Sequence, residues 1–192
     1  MTKTSTLFLA LLLPLLLLIT GCDDDDGPVI ENEEELITDV IYTLVPDGGG
    51  TSGTVVLTFS DRDGDGPNAP DTTITGTLQP NTTYAGTIAV VNASNPNDVE
   101  DITAEVREED DEHQFFYQAS GGLNAEFSYA DQDDNGDPVG LVTTMRTGAS
   151  SAGTLTITLR HEPNKSAAGI NIGNPSAAGG ETDVEVSFAV AF

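Results

Sequence analysis

From residue 36 to the end of the chain, short segments of alternating apolar and polar residues follow one another, broken at close intervals by Gly, Asn, Asp and Pro. A period of two sends successive side chains to opposite faces of a strand, and turn-forming residues end each run. The pattern predicts strands over 36–45, 53–60, 71–79, 83–92, 101–108, 112–119, 123–130, 139–147, 153–161 and 182–192. In the last of these Val184, Val186, Phe188, Val190 and Phe192 share one face and Glu185 and Ser187 the other, which predicts a terminal strand docked in a sheet. Helical periodicity is almost absent. Short, evenly spaced strands in one domain over residues 36–192 predict an all-β fold, an antiparallel sandwich or barrel. Residues 164–180 (NKSAAGINIGNPSAAGG) read as a long loop of small residues, and long ordered loops on a sandwich are where function concentrates.

One segment narrows the choice. In TGTLQPNTTYAGTIAV, Leu78, Pro80, Thr82 and Tyr84 resemble the Leu-x-Pro-x-Thr-x-Tyr approach to the tyrosine corner of fibronectin type III and immunoglobulin-like domains. The resemblance implies a single antiparallel immunoglobulin/fibronectin-like β-sandwich in which the Tyr84 hydroxyl bonds back to nearby backbone. There is no Cys-Trp-Cys core, since the chain has one Cys and no Trp.

The first 21 residues follow a different rule. An apolar run from Leu7 to Ile19 follows Lys3; it is too short to span a bilayer and has the form of a cleaved secretory leader. Ile19, Thr20, Gly21 and Cys22 resemble the bacterial lipobox, in which cleavage leaves the cysteine as the first mature residue and its sulfur carries diacylglycerol. Each buried CH₂ contributes about 0.8 kcal/mol, so more than one acyl chain on Cys22 makes a stable anchor. Asp23, Asp24, Asp25 and Asp26 resemble the acidic export signal of Bacteroidota-type surface lipoproteins. Residues 22–35 (CDDDDGPVIENEEE) carry too much like charge and too little apolar surface to order themselves, and read as a flexible acidic tether between the anchor and the domain.

Charge restricts the partners. The chain has 32 acidic and 6 basic residues and a formal net charge of −26, which becomes −27 when Lys3 leaves with the leader. Such a field repels phosphate backbones, so nucleic acid is not a partner, and it draws in cations and basic surfaces. A lone cysteine allows no internal disulfide, so stability comes from a core, from bound ions, or from both.

Two loops have the composition of a calcium site. Asp61, Asp63, Asp65 and Gly66 form D-x-D-x-D-G, and Asp131, Asp133, Asn135 and Gly136 form D-x-D-x-N-G. Alternate side chains aim oxygens at one centre and the glycine permits the sharp turn, which suits Ca²⁺. The twelfth positions are Thr72 and Val142 where an EF-hand has its bidentate glutamate, so neither loop is an EF-hand. Asp-Gly and Asn-Gly are also ordinary hairpin chemistry, and both readings of these loops stand.

The two histidines form a second candidate. His113 follows an acidic run ending in Glu112 and shares its face with Phe115 and Tyr117; His161 precedes Glu162 and shares its face with Leu155, Ile157 and Leu159. Both lie at strand ends. An up-and-down meander of the four strands from 112 to 161 would bring both histidines, Glu112, Glu162 and the second aspartate loop to one pole. Imidazole with carboxylate suits Zn²⁺ or a related divalent ion. The plainer alternative is that the histidines cap core strands and the acids solvate an edge.

Other patterns carry no chemistry. Gly48, Gly50 and Gly53 satisfy G-x-G-x-x-G but lead into a strand, not a helix, so they do not cradle a dinucleotide. GASSAG at 148–153 lacks the spacing of a nucleophile elbow. Carboxylate pairs are too numerous for any one to signal a glycosidase.

Taken together, the lipobox, its aspartate tract and the segments DGDGPNAP, EEDDEHQFFY, RHEPNKSAAG and GGETDVEV resemble a group of Bacteroidota-type surface lipoproteins that often bears the name type 1 periplasmic binding fold superfamily protein. That name denotes an α/β architecture, whereas the strand pattern here is all-β. The resemblance implies an outer-membrane, cell-surface location beside a TonB-dependent receptor. The resulting expectation is a membrane-anchored, non-enzymatic lipoprotein that binds Ca²⁺ or Zn²⁺ at acidic sites and acts as accessory to such a receptor. The rival is a structural or adhesive sandwich with only loop-stabilising Ca²⁺, and a hydrolase ranks last.

Overall fold

The computed structural model describes residues 35–48, 53–64 and 66–192, and nine strands form among them where alternation is strongest. Cys22, Asp23 to Asp26 and the leader lie outside the described residues, as does Asp65. The strands are β1 (Asp39–Pro46), β2 (Val55–Ser60), β3 (Asp71–Thr75), β4 (Thr83–Val91), β5 (His113–Ser120), β6 (Ala125–Tyr129), β7 (Val142–Thr147), β8 (Ala152–His161) and β9 (Glu181–Ala191). They sort into a six-stranded sheet of order β3-β2-β1-β4-β7-β6 and a three-stranded sheet of order β5-β8-β9. Every pairing is antiparallel, so the fold is an all-β sandwich.

One hydrophobic cluster joins the two sheets. Val40, Tyr42 and Leu44 of β1 and Val55 and Leu57 of β2 meet Phe115 and Tyr117 of β5, Leu155, Ile157 and Leu159 of β8, and Val186, Phe188 and Val190 of β9, as the period-two pattern requires. The Tyr42 and Tyr117 rings meet across the sandwich at 5.1 Å. Each buried phenol has a partner: Tyr42 shares a hydrogen bond with Thr143 Oγ1 at 2.7 Å, and Tyr117 donates to the Gly140 carbonyl at 2.7 Å. Gly86 makes the first possible, because a Cβ there would collide with the Tyr42 hydroxyl. The expected tyrosine corner is present, with the Gln79 amide donating to Tyr84 Oη at 2.8 Å.

Two expectations are corrected. The strand predicted over 101–108 is a short helix, α1 (Ile102–Glu108). Its apolar positions satisfy a period of two, but Ile102, Thr103 and Val106 are the ones buried, which is one face of a helix. Thr103 decides the matter through tertiary bonds, its hydroxyl donating to the Val90 carbonyl at 3.0 Å and accepting from the Val90 amide at 2.9 Å. The second correction concerns the four strands from 112 to 161, which do not form a meander. β5 pairs with β8 in the small sheet while the β6–β7 pair lies in the large one, so the chain crosses between layers twice. The outer edge of β5 is covered instead by loops, through Phe115 N–H to the Val139 carbonyl and Tyr117 N–H to the Ile172 carbonyl, both 2.7 Å.

Candidate metal centre

Direct pairing of β5 and β8 makes His113 and His161 cross-strand partners at one end of the small sheet. Their rings lie 4.6 Å apart, centroid to centroid. Both histidines were expected at one pole; the pole is reached by a two-strand ladder, not by a four-strand meander.

A carboxylate joins them from β9. The ladder between β8 and β9 shifts register between Leu159 and Arg160, so that Leu159 faces Val184 while Arg160 faces Thr182. Asp183 is the extra residue of this bulge. Strict alternation would aim it away from the core with Glu185 and Ser187, yet its side chain is 0 % exposed. The bulge turns it inward, the usual consequence of one inserted residue. Gly180, at φ +69°, leads into β9, and a Cβ there would collide with the His161 carbonyl, so only glycine lets the strand begin this close.

The fourth group is Glu35, the first described residue, which precedes β1. Its carboxylate bridges the two imidazoles: Oε1 is 3.2 Å from His113 Nε2 and Oε2 is 3.8 Å from His161 Nδ1. Asp183 lies opposite, with Oδ2 3.9 Å from His113 Nε2 and Oδ1 3.6 Å from His161 Nδ1. All four side chains are at most 8 % exposed, and one ligand atom from each falls within 4.8 Å of the others.

Proton bookkeeping sharpens the picture. His113 Nδ1 lies 3.1 Å from the carbonyl of Glu109, just past the end of α1. A carbonyl only accepts, so Nδ1 carries the proton and, in the neutral ring, Nε2 directs a lone pair at the carboxylates. A backbone carbonyl fixing the tautomer of a ligating imidazole is the usual outer-sphere arrangement of metal sites. His113 Nε2 and Glu35 Oε2 are buried without a hydrogen-bond partner. Buried polar atoms are nearly always partnered, and these two are exceptions.

The four imidazole–carboxylate approaches run from 3.2 to 3.9 Å and use both oxygens of each carboxylate, so each acid faces both rings. Two carboxylates would balance the charge of a divalent ion. A little further out, burial pushes the Glu105 carboxyl above its usual range, and the negative charge of Glu35 adds to the shift.

The remaining candidates divide. Glu112 and Glu162 are exposed and group with His161 within 4.8 Å on its outer side, held by the Glu162 amide donating to the Glu112 carbonyl at 2.7 Å. The second aspartate loop does not reach the histidines as a ligand. Asp131 accepts from the amides of Gly140 and Val142, one on each oxygen, both at 2.8 Å. Asp133 is buried; its Oδ1 accepts from the amides of Asn135 and Asp137, and its Oδ2 from Lys165 Nζ at 2.9 Å. Lys165 also donates to the Asp110 carbonyl at 2.5 Å, tying the long loop to the end of α1. Desolvation would raise the Asp133 pKa, but the bonds from Lys165 and the two amides together hold it below the usual carboxylate range. This loop therefore uses its oxygens on the protein's own donors. In the first loop Asp63 Oδ2 accepts from the Asn68 amide and side chain at 3.2 and 2.6 Å, while Asp61 Oδ1 is buried without a hydrogen-bond partner.

No protein-family model matches the chain, and no curated protein or solved structure matches it. Sequence reasoning finds His113 and His161 and misses Glu35 and Asp183. Composition places Glu35 at the end of the acidic tether, whereas the structure groups it with the compact domain. Asp183 stands in the quoted segment GGETDVEV, where alternation gives no sign of the bulge. The one available signal was Gly179-Gly180 immediately before a strand.

Proposed function

We propose that this protein is a lipid-anchored, non-enzymatic β-sandwich protein of the outer-membrane surface that binds a divalent transition-metal ion of the Zn²⁺ class through Glu35, His113, His161 and Asp183. The observation that carries the metal reading is the buried His₂-carboxylate₂ cluster, with one ligand atom from each group within 4.8 Å of the others and atoms on His113 and Glu35 that lack a hydrogen-bond partner. Four protein ligands leave no open coordination position, which supports a binding role over metal-assisted hydrolysis. The anchor and address rest on Cys22 with the lipobox before it and Asp23 to Asp26 after it, and the pairing with a TonB-dependent receptor rests on the resemblance of the whole chain. An acidic field of this strength raises the local cation concentration around the domain.

Titration calorimetry of the metal-stripped protein tests the reading. Micromolar or tighter Zn²⁺ binding, abolished in a His113→Ala, His161→Ala double variant, is the expected result; no Zn²⁺ binding by the parent protein overturns it. A second reading, Ca²⁺ at Asp61 and Asp63, is favoured by the unpartnered Asp61 Oδ1 alone. It requires a Ca²⁺ signal that survives the double histidine variant and disappears in Asp61→Asn.

A further inference from the structure

We infer that the ion at this centre is a resident cross-link, not a cargo: it fastens the segment that enters the domain, residues 35–38, to the end of the three-stranded sheet. The inference rests on the metal-binding reading above and assigns the ion its role.

Three of the four ligands belong to one sheet, one from each strand: His113 from β5, His161 from β8 and Asp183 from β9. Ladder hydrogen bonds fix their positions whether or not an ion is bound. Glu35 is different. It precedes β1, a strand of the other sheet, so an ion held by all four groups ties the two layers together at this end. The entry segment is itself held at its inner end. Thr38 donates its amide to the Val91 carbonyl at 3.0 Å, its carbonyl accepts from the Asp61 amide at 2.8 Å, and its hydroxyl accepts from the Ala93 amide at 2.8 Å. Ile37 packs against the core, but Leu36, next to Glu35, is 58 % exposed, so the apolar hold ends one residue short of Leu36. The Glu35 carboxylate is nonetheless buried, and it faces the same two imidazoles as the Asp183 carboxylate, so a divalent ion among the four groups would offset both the like-charge repulsion and the cost of desolvation.

Closure argues for residence. Structural zinc sites are saturated by four protein ligands and shielded, and here the exposure of every ligand is at most 8 %. Release of the ion would require Glu35 to swing out, so departure of the ion and freeing of the entry segment are one event. On the anchored reading, that segment is where the tether meets the domain.

Hydrogen–deuterium exchange of the full protein, stripped or saturated with Zn²⁺, separates the possibilities. The expected result is that Zn²⁺ slows exchange of the amides at 36–38 at least about tenfold, in proportion to the population of the closed form. Glu35→Gln should abolish that protection and weaken Zn²⁺ binding at least about tenfold. Asp183→Asn should weaken binding comparably yet keep the protection at saturating Zn²⁺, because Glu35 still reaches the ion. Zn²⁺ binding that is equal in the parent and Glu35→Gln, with unchanged exchange at 36–38, overturns the cross-link and leaves the metal reading intact. Absence of Zn²⁺ binding in the parent overturns both.

Discussion

The loop at Asp131–Asp137 and the cluster at Glu35, His113, His161 and Asp183 are both acidic and partly buried, and they solve the problem of buried charge in opposite ways. The loop satisfies itself. Both oxygens of Asp131 and of Asp133 meet backbone amides or the Lys165 ammonium, so its calcium-like spacing is spent on holding a turn. In the cluster, buried atoms of His113 and Glu35 stay without a hydrogen-bond partner while two carboxylates converge on two imidazoles. The difference teaches that a D-x-D-x-N-G motif says little until the donors around it are known. A cation site is marked by what the fold leaves unsatisfied, not by the number of acids.

Four experiments test this contrast. The largest effect is expected at the loop. Lys165→Met leaves Asp133 buried without its ammonium and should cost about 3–5 kcal/mol in urea unfolding, while Zn²⁺ affinity stays unchanged. A matching fall in Zn²⁺ affinity would show that the two regions are coupled. Next, Zn²⁺ at a hundredfold excess over its Kd should stabilise the parent by about 2.7 kcal/mol, seen as a rise in Tm of about 5–10 °C, and His113→Ala should remove the rise. Calcium should give no stabilisation traceable to the loop; a Ca²⁺-dependent rise lost in Asp131→Asn would end the distinction drawn here.

The smallest effect is in acid. The Asp133 pKa lies below its ordinary value of 3.8, so the folded state binds that proton less readily than the unfolded chain. Its contribution to stability is therefore complete above the ordinary value and is lost as pH falls through the folded one. Urea midpoints measured from about pH 5 down to about pH 2 should fall less steeply in Asp133→Asn than in the parent. An identical slope would mean that the bonds from Lys165 and the two amides do not hold the carboxylate ionised.

What the sequence determined by itself is what local geometry determines. Alternation identified most of the strands, the inward faces of β5, β8 and β9, and the histidines at the ends of core strands, because a period of two is a property of each strand's own backbone. The tyrosine corner was legible for the same reason, its bond spanning only five residues. Tertiary structure decided the rest. Segment 102–108 became a helix through Thr103 and its bonds to Val90, and the β6–β7 pair went to the opposite sheet from β5 and β8. Neither choice is written in a local period, since both depend on which distant backbone groups remain to be paired. The cluster of Glu35, His113, His161 and Asp183 is the sharpest case. His113 and His161 are 48 positions apart in the sequence and meet by strand register; Asp183 arrives by a one-residue bulge that reverses its face; Glu35 arrives from a stretch that composition assigns to solvent. A register shift changes no residue and leaves the composition untouched, yet it decides which side of a sheet a carboxylate occupies.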